Sequence, residues 1–256
     1  MTHPGPRTTR TVAEVAAPYS NFLVRVPRVA IDVCDVCHGA VDPAYSRCFQ
    51  CFDSIRKLGS GTADVVSFVS LAPTGGQMAQ ELYTYKRSSV PERYRLPRLI
   101  GLSAVLWQWL AKHETCMAGR VGGSQFDVIT TVPSTSGRIG QHPLGQLVAG
   151  VVTNSSDRYQ SLLAVQRTDL ERRECAVDRY AVTGDAHGAS ILVIDDTWTT
   201  GAHAQSASAA LKQAGAISVG LLAIGRWLTV DYQNNRAWLS VHRAMGWDWD
   251  RCCLEL

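Results

Sequence analysis

The sequence predicts an α/β fold in which helices flank a parallel sheet. A small cysteine-rich segment precedes this α/β domain. Three observations support this assignment. Short aliphatic runs recur along the chain, as expected for strands that are buried on both faces. Segments with helical spacing alternate with these runs, and such alternation is typical of parallel sheets. Two CxxC pairs lie ahead of the first predicted strand.

The predicted strands are short and largely apolar. They are 64–72, 191–194 and 217–224, and a further strand begins at Phe126 and is followed by a turn-rich loop and a helix that extends to Val152. Their length and their aliphatic content favour strands over buried helices. These strands would form the central parallel sheet.

Two further segments are predicted to be helices. Apolar residues recur at helical spacing from about Pro97 to Glu114. The segment AHAQSASAALKQAG, which follows strand 191–194, contains good helix formers and ends at Gly215, a typical helix stop. A strand, a small-residue loop and a helix therefore follow one another between residues 191 and 215.

Length and composition limit the classes of protein that the chain can represent. Its 256 residues allow one large domain and a small appendage, which we place at residues 59–256 and 1–58. The net charge of +3 does not by itself indicate nucleic-acid binding. No apolar stretch approaches the roughly 20 residues of a membrane span, and the polar N-terminal segment has no signal-peptide core. We therefore expect a cytoplasmic protein without a membrane span.

The two cysteine pairs in the appendage predict a structural zinc site. Cys34 and Cys37 lie ten residues before Cys48 and Cys51, so two tight turns can supply four thiolates in a tetrahedron. The alternative is a set of redox-active or buried cysteine pairs. His38 is adjacent, but four cysteines already complete a zinc coordination shell. The other cysteines lack this spacing and are interpreted as buried thiols: Cys116, Cys175, Cys252 and Cys253.

Two loops are expected to meet at one edge of the sheet. Ligands of open parallel sheets bind beyond the carboxyl ends of the strands, and loops 133–141 and 195–203 both follow predicted strands. The first offers hydroxyls and a cation. The second offers two carboxylates beside a helix N-terminus, where unpaired N–H groups bind anions. These groups suit phosphoribosyl pyrophosphate, whereas the alternative for the carboxylates is a solvated loop with a helix cap.

Several motifs resemble those of a known family. The stretch ILVIDDTWTTGAH (191–203) resembles the phosphoribosyl-pyrophosphate signature of type I phosphoribosyltransferases. The CxxC pairs, TYK (84–86), TVPSTSGR (131–138) and RRECAVDRYAV (172–182) resemble more narrowly the ComF family, which is linked to DNA uptake in competent bacteria. The resemblance covers residues 34 to about 227 and implies a type I phosphoribosyltransferase-like sheet.

The resemblance implies roles for individual residues. Asp195 and Asp196 would face the ribose hydroxyls and act in catalysis. Phosphoribosyl pyrophosphate would be bound by three groups: Thr197, Thr199, Thr200, Gly201, Ala202 and His203 around the 5′-phosphate; Ser134, Thr135, Ser136, Gly137 and Arg138 at the pyrophosphate; and Arg167, Arg172 and Arg173 in a loop that closes over the site. The alternative for the arginine segment is a solvated helix face. The implied cofactors are structural zinc and Mg²⁺ bound with the pyrophosphate.

Three residues depart from the family pattern. The family usually has an aliphatic residue where Trp198 stands, a serine or threonine at His203, and often an asparagine at Cys175. Trp198 is expected to narrow the space beside the ribose. His203 can still donate a hydrogen bond to a phosphate, so an altered phosphate site is the expectation.

These features predict a phosphoribosyltransferase that transfers phosphoribosyl to a nitrogen acceptor, a nucleobase or an amine that the sequence does not name. The alternative is a non-catalytic, zinc-containing module of DNA uptake that uses the pocket as a sensor. Its partners would be single-stranded DNA or DNA-uptake proteins, which the basic and aromatic stretch KRSSVPERYRLPR (86–98) could contact. A homodimer is also compatible with the sequence.

Overall fold

The computed structural model describes residues 10–134 and 143–255. In chain order, its elements are α1 (Val12–Ala16), α2 (Phe49–Leu58), β1 (Val65–Pro73), α3 (Gln77–Thr84), α4 (Glu92–Gly119), β2 (Val128–Thr131), α5 (Pro143–Gln146), α6 (Thr153–Ser156), β3 (Leu163–Val165), β4 (Tyr180–Val182), β5 (Ser190–Trp198), α7 (Ala202–Gln213), β6 (Ser218–Leu228) and α8 (Asn235–Ala244). None of the helices in these two ranges is both long enough and apolar enough to cross a membrane.

Four parallel strands form the central sheet in the order β1-β6-β5-β2. β5 pairs with β6 through residues such as Val193 and Leu221, and with β2 through Thr130 and Val193. A bridge between Ile129 and Tyr159 continues the pairing at the outer edge of β2. The predicted α/β class, with a parallel sheet flanked by helices, is confirmed, whereas the type I phosphoribosyltransferase fold stays a prediction.

Helices cover both faces of this sheet because alternate residues of each strand enter two hydrophobic layers. Ile191 and Val193 belong to the layer formed with α7 and the cysteine segment. Leu192 and Ile194 belong to the layer formed with α4. All four side chains are fully buried, which explains the uninterrupted aliphatic run at the start of β5.

α7 has the limits that the sequence predicts. Gly215 adopts a φ of +95°, a conformation that favours glycine, immediately beyond the end of the helix. Its N–H donates to the carbonyl of Lys212, and the N–H of Ala216 donates to the carbonyl of Leu211. These two bonds form a Schellman motif, which stops the helix where the predicted strand β6 must begin.

α4 begins earlier than predicted, at Glu92 rather than near Pro97. A proline inside a helix removes one hydrogen bond, but its fixed φ is compatible with helical backbone. Pro97 is the sixth residue of α4, beyond the first four N–H groups, so the helix continues through it with one hydrogen bond fewer. The prediction gave too much weight to this proline as a helix start.

The cysteine segment packs against the sheet. Leu71 of β1 receives a bridge from Val24, and Cys34, Cys37 and Cys51 share a hydrophobic cluster with Phe68 and residues of β5, β6 and α7. The segment therefore contributes to the same layer as α7. The proposed division between residues 58 and 59 stays a prediction.

β3 and β4 form a separate antiparallel hairpin, and the arginine-rich segment 166–179 connects them. The end of this connection packs on α7: the N–H of Ala176 donates to the hydroxyl of Ser206 at 3.0 Å. The hairpin therefore lies over the helix that follows the two acidic residues of β5.

Candidate functional site

The two adjacent carboxylates of β5 point to opposite faces of the sheet. β5 includes Asp195 and Asp196 as ordinary strand residues, and consecutive side chains in a strand alternate between its faces. Asp196 contacts Tyr85 and Lys86, which follow α3 on the α4 side. Asp195 lies on the opposite side, together with Tyr180. The expectation that both carboxylates face one ribose stays a prediction.

Asp196 is a buried and fully engaged carboxylate. It is 6% exposed, and its Oδ2 accepts a hydrogen bond from Tyr85 Oη at 2.6 Å. Lys86 Nζ lies 3.0 Å from Oδ1 and 2.8 Å from Oδ2. Burial alone would raise the pKa of Asp196, but the Lys86 charge and these hydrogen bonds outweigh it and lower the pKa. Asp196 therefore carries a fixed negative charge at neutral pH.

Asp195 has the opposite electrostatic character. Burial, and then the charge of Asp196, raise the pKa of Asp195 to about 7. Its Oδ1 accepts the N–H of Asp196 at 2.8 Å. Tyr180 lies close enough that burial and the charge of Asp195 raise the pKa of its phenol. Asp195 can therefore change its protonation state near neutral pH, whereas Asp196 cannot.

The loop after β5 leads into an open helix N-terminus. Gly201, the N-cap of α7, has a φ of +81° and no side chain that could cap the first-turn N–H groups, of which the Ala202 N–H donates to Thr200 Oγ1 at 3.4 Å. The other predicted phosphate-binding residues lie around it: Thr197 and Thr200 are half-buried, Thr199 is exposed and Ala202 is buried. N–H groups at the start of a 12-residue helix attract anions. The geometry therefore suits a phosphate group.

Trp198 fills the core rather than the edge of the sheet. Its side chain is 2% exposed and packs edge-on against Phe68, with ring centroids 5.5 Å apart. A Cβ on Gly201 would lie 2.1 Å from the Trp198 ring. The indole thus supports the loop from below and makes glycine necessary at position 201 by contact as well as by backbone conformation.

His203, in the first turn of α7, is held by a neighbouring strand. Its Nδ1 shares a hydrogen bond of 2.7 Å with Tyr180 Oη. Burial lowers the pKa of His203 to about 4, and the charges of Arg179 and Arg172 add to this effect. The imidazole is therefore neutral at physiological pH, and any contribution to phosphate binding comes from hydrogen bonding rather than from charge.

The second predicted loop follows the strand next to β5. Val132 donates its N–H to the carbonyl of Ile194, so the carboxyl ends of β2 and β5 lie side by side as expected. Ser134, half-buried, is the last described residue before the gap. The other four predicted pyrophosphate-binding residues lie outside the described residues: Thr135, Ser136, Gly137 and Arg138.

The predicted closing loop carries its arginines in different environments. Arg167 pairs with Asp169 and Asp178 at 2.5 and 3.1 Å, whereas Arg172 and Arg173 are exposed. Arg172 lies close enough to His203 to lower the pKa of the imidazole. Its effect on His203 indicates that Arg172, one of the three predicted arginines, lies near the N-terminus of α7.

Arg179, which the sequence analysis did not single out, organises this loop. It is 2% exposed, and its Nη2 donates to the backbone carbonyls of Glu171 and Glu174 at 2.6 and 2.7 Å. These bonds tie the loop to the start of β4. Its position within RRECAVDRYAV was visible in the sequence, but nothing there separated this buried arginine from its exposed neighbours.

The four predicted zinc ligands converge into one four-cysteine cluster. The Sγ atoms of Cys34, Cys37, Cys48 and Cys51 all lie within 4.8 Å of one another, and those of Cys37 and Cys48 are 3.7 Å apart. The N–H groups of Cys37 and Cys48 point at Cys34 Sγ at 3.5 and 3.4 Å. The four-cysteine cluster could hold a metal such as zinc, because four thiolates are a typical structural zinc shell.

Arg226, at the end of β6, joins the four-cysteine cluster to the loop after β5. Its Nε donates to the Cys37 carbonyl at 3.1 Å and its Nη2 points at Cys37 Sγ at 3.2 Å. Its Nη1 donates to the Thr199 carbonyl at 3.2 Å. No sequence signal distinguishes this arginine, because its partners are 189 and 27 residues away. Tyr85 and Lys86, by contrast, lie in the TYK motif.

Comparison with protein families, curated proteins and solved structures yields no match to this chain. The function must therefore be inferred from the residues and their geometry.

Proposed function

We propose that the chain is a ComF-like phosphoribosyltransferase, which binds phosphoribosyl pyrophosphate with Mg²⁺ and transfers phosphoribosyl to a nitrogen nucleophile. The observation that carries the proposal is the order in which functional groups follow one another at the C-terminal end of β5. An ionisable Asp195 is followed, within six residues, by the open N-terminus of α7 at Gly201. A carboxylate for the sugar and N–H groups for its phosphate thus follow one another along one loop.

The 5′-phosphate would bind at the first turn of α7. Gly201 has no side chain to cap this turn, the Ala202 N–H makes only a long bond of 3.4 Å to Thr200 Oγ1, and the helix dipole favours negative charge there. His203 is neutral, so it would contribute a hydrogen bond whose geometry is set by Tyr180. Arg172 adds a cation nearby.

Asp195 is suited to contribute to Mg²⁺ binding. Mg²⁺ prefers oxygen ligands and is typically held by one or two carboxylates together with substrate phosphates. Asp195 is half-buried and its pKa of about 7 allows the ionised form, which a cation would favour. When bound, the ion would neutralise charge on the pyrophosphate leaving group.

The two carboxylates would have separate electrostatic roles. Departure of pyrophosphate leaves positive charge on the ribose, and negative charge placed beforehand stabilises that transition state. Asp196 is held ionised by Lys86 and Tyr85, but the Lys86 charge offsets most of its own, so it would contribute less to this stabilisation than Asp195. Asp195 would act closer to the sugar in its ionised form, and turnover should therefore rise with pH through about 7.

The test combines binding and turnover. Calorimetry should detect phosphoribosyl pyrophosphate with Mg²⁺, and pyrophosphate release should depend on one member of a panel of nucleobases and amines. Asp195→Asn should reduce turnover by about 100-fold and weaken Mg²⁺-dependent binding much less, because most of the lost interaction belongs to the transition state. Asp185→Asn makes the same change in the exposed loop before β5, at the opposite end of the strand, and should have no effect. Unchanged turnover in Asp195→Asn would contradict the catalytic assignment, and absence of binding would contradict the proposal as a whole.

A second candidate is binding of single-stranded DNA without turnover. Tyr83 and Tyr94 are 45% and 50% exposed, and the guanidinium groups of Arg87 and Arg93 lie 3.7 and 4.8 Å from their ring centroids. Exposed aromatic and basic side chains of this kind can stack on bases and contact phosphates. Salt-sensitive binding of an oligonucleotide that Tyr94→Ala weakens, without pyrophosphate release for any acceptor, would favour this function.

A further inference from the structure

A second group of metal-binding side chains lies on the other side of the sheet from the four-cysteine cluster. His113 and Cys116 belong to α4, and Cys252 and Glu255 belong to the segment that follows α8. One donor atom from each residue lies within 4.8 Å of the other three. Both cysteines are predicted from the sequence to be buried thiols, because the two halves of the group are more than 130 residues apart.

Each half supplies two donors with the same spacing. His113 and Cys116 are three residues apart on a helix, so their side chains lie on one face. Cys252 and Glu255 are also three residues apart, and the Cys252 N–H donates to Glu255 Oε1 at 3.1 Å. The four-cysteine cluster is likewise built from two pairs with this spacing. Such pairs bring two donors to one point without a long loop.

The orientation of the His113 ring is that of a metal ligand. Its Nε2 lies 2.9 Å from the carbonyl of Trp249, and a carbonyl only accepts, so the proton is on Nε2. The Nδ1 lone pair then points at Cys116 Sγ, 3.9 Å away, and at Glu255 Oε1, 3.4 Å away. Metal-bound histidines typically donate their other ring N–H to a carbonyl or carboxylate in this way.

The distances fit a tetrahedral site. Zinc bonds of about 2.3 Å to sulfur and about 2.0–2.1 Å to nitrogen or oxygen place neighbouring donor atoms about 3.3–3.8 Å apart. The separations of 3.4 and 3.9 Å around His113 Nδ1 agree with these edges. A lone pair and a carboxylate that face each other at such a distance repel, unless a proton or a metal ion lies between them.

We propose that His113, Cys116, Cys252 and Glu255 form a second, structural zinc site that fastens the segment after α8 to α4. Two thiolates, an imidazole and a carboxylate suit Zn²⁺ better than Mg²⁺ or Ca²⁺, which prefer oxygen ligands alone. With four protein ligands, the site has no open position for catalysis. Glu255 is 27% exposed and marks the side from which the ion enters.

The surroundings of the group support a metal-linked junction. Arg28 lies 3.8 Å from Glu255 Oε2 and offsets part of the negative charge that three anionic ligands bring. Trp249 Nε1 donates to Ser20 at 2.8 Å, and Lys112 pairs with Asp250, so the segment also contacts α4 and the N-terminal turn beside the group. Each of these surface contacts contributes little stability by itself. A bound zinc would add its binding free energy and hold the segment after α8 firmly against α4.

The first experiment measures zinc per chain in full-length protein purified without chelator. Cys116→Ser and Cys252→Ser should each contain one zinc fewer than the parent, whereas Cys253→Ser should contain as much as the parent. Cys253 is a matched control because it adjoins Cys252, is buried, and contacts Ser67 and His38 instead of the proposed ligands. Because the zinc content of each variant is compared with that of the parent, the result does not depend on how fully zinc occupies the four-cysteine cluster. Equal zinc in the parent, Cys116→Ser and Cys252→Ser would overturn the proposal.

A second experiment remains decisive if the serine variants do not fold. Glu255→Gln keeps the volume of the side chain but weakens one ligand, so one zinc should pass to a chelator at least about tenfold faster than in the parent. Asp250→Asn, an equivalent change in the same segment but outside the proposed site, should release zinc at the parental rate. Identical rates for all three proteins would mean that the group is an imidazolium–carboxylate pair beside two thiols.

Discussion

Lys86 holds both carboxylate oxygens of Asp196 within 3.0 Å, and this pair joins the start of the α3–α4 connection to the end of β5. Tyr85 donates to the same carboxylate at 2.6 Å. Two adjacent residues of one loop thus neutralise the carboxylate and add to the hydrogen bond that it receives from Thr197. The stability of the C-terminal end of β5 therefore depends on Lys86.

Lys86→Met should destabilise the protein by about 2–3 kcal/mol in urea unfolding. Breaking a buried pair leaves an uncompensated charge and costs about 3–5 kcal/mol, and the 31% exposure of Lys86 reduces this figure. The double variant Lys86→Met/Asp196→Asn should recover part of the loss, because no buried charge remains. Lys112→Met breaks an exposed pair with Asp250 and should cost less than about 1 kcal/mol. Equal losses of unfolding free energy for Lys86→Met and Lys112→Met would show that the buried Asp196 pair stabilises the protein no more than an exposed pair does.

Asp195→Asn should stabilise the protein at pH 8 and leave it nearly unchanged at pH 4. The folded-state pKa of Asp195, about 7, lies above the unfolded value of about 3.9, so ionisation opposes folding. The contribution of Asp195 to stability should therefore fall as the pH rises from about 4 to about 7. The expected gain at pH 8 is about 2 kcal/mol, measured by urea unfolding at both pH values.

Asp196→Asn provides the control of opposite sign. The pKa of Asp196 is lowered in the fold, so its ionisation favours folding above the unfolded pKa, and this contribution is lost as the pH falls through the folded value. The variant should be less stable than the parent at pH 8. Stabilisation by both substitutions at pH 8 would contradict the distinct environments of the two carboxylates.

Arg226→Gln should weaken the four-cysteine cluster and the loop after β5 together. The variant loses the bonds to the Cys37 carbonyl and sulfur and the bond to the Thr199 carbonyl. We expect metal affinity of the cluster to fall by about 10- to 100-fold, as is typical when a residue that supports the ligands is removed. Protection of the 199–203 amides from hydrogen exchange should fall in parallel.

Arg47→Gln is the matched control for this coupling. Arg47 pairs with Asp35 at 2.7 Å inside the cysteine segment. Its removal should affect metal retention without changing exchange at 199–203. If Arg226→Gln altered only one of the two measurements, the link between the cluster and the loop would be refuted.

Gly201→Ala should cost more stability than Gly122→Ala. The two glycines have nearly identical φ angles of +81° and +83°, so both substitutions force an alanine into the left-handed region at about 1–3 kcal/mol. The new Cβ at 201 also meets the Trp198 ring at 2.1 Å, whereas within the described part of the chain no atom lies within 4 Å of a Cβ at 122. Overpacking should add about 1–3 kcal/mol in urea unfolding. Equal losses would mean that Trp198 moves aside freely.

Local patterns in the sequence determined the position of several strands and helix ends. The aliphatic run before Asp195 specified β5, and Gly215 specified the end of α7, because strand burial and helix termination depend on residues within one or two turns of each other. The CxxC spacing likewise predicted the four ligands that the structure brings together. The start of α4 was misjudged because a proline removes one helical hydrogen bond but does not have to begin the helix.

Tertiary structure alone decided the partners of these elements. Lys86 and Asp196 are 110 residues apart, Arg226 and Cys37 are 189 apart, and His113 and Trp249 are 136 apart. A charge or a ligand pair has no periodicity that would reveal such a partner, since the contact depends on which helix crosses which face of the sheet. The opposite orientations of Asp195 and Asp196 follow from the same cause: β5 extends through both residues because β6 pairs with it as far as Trp198.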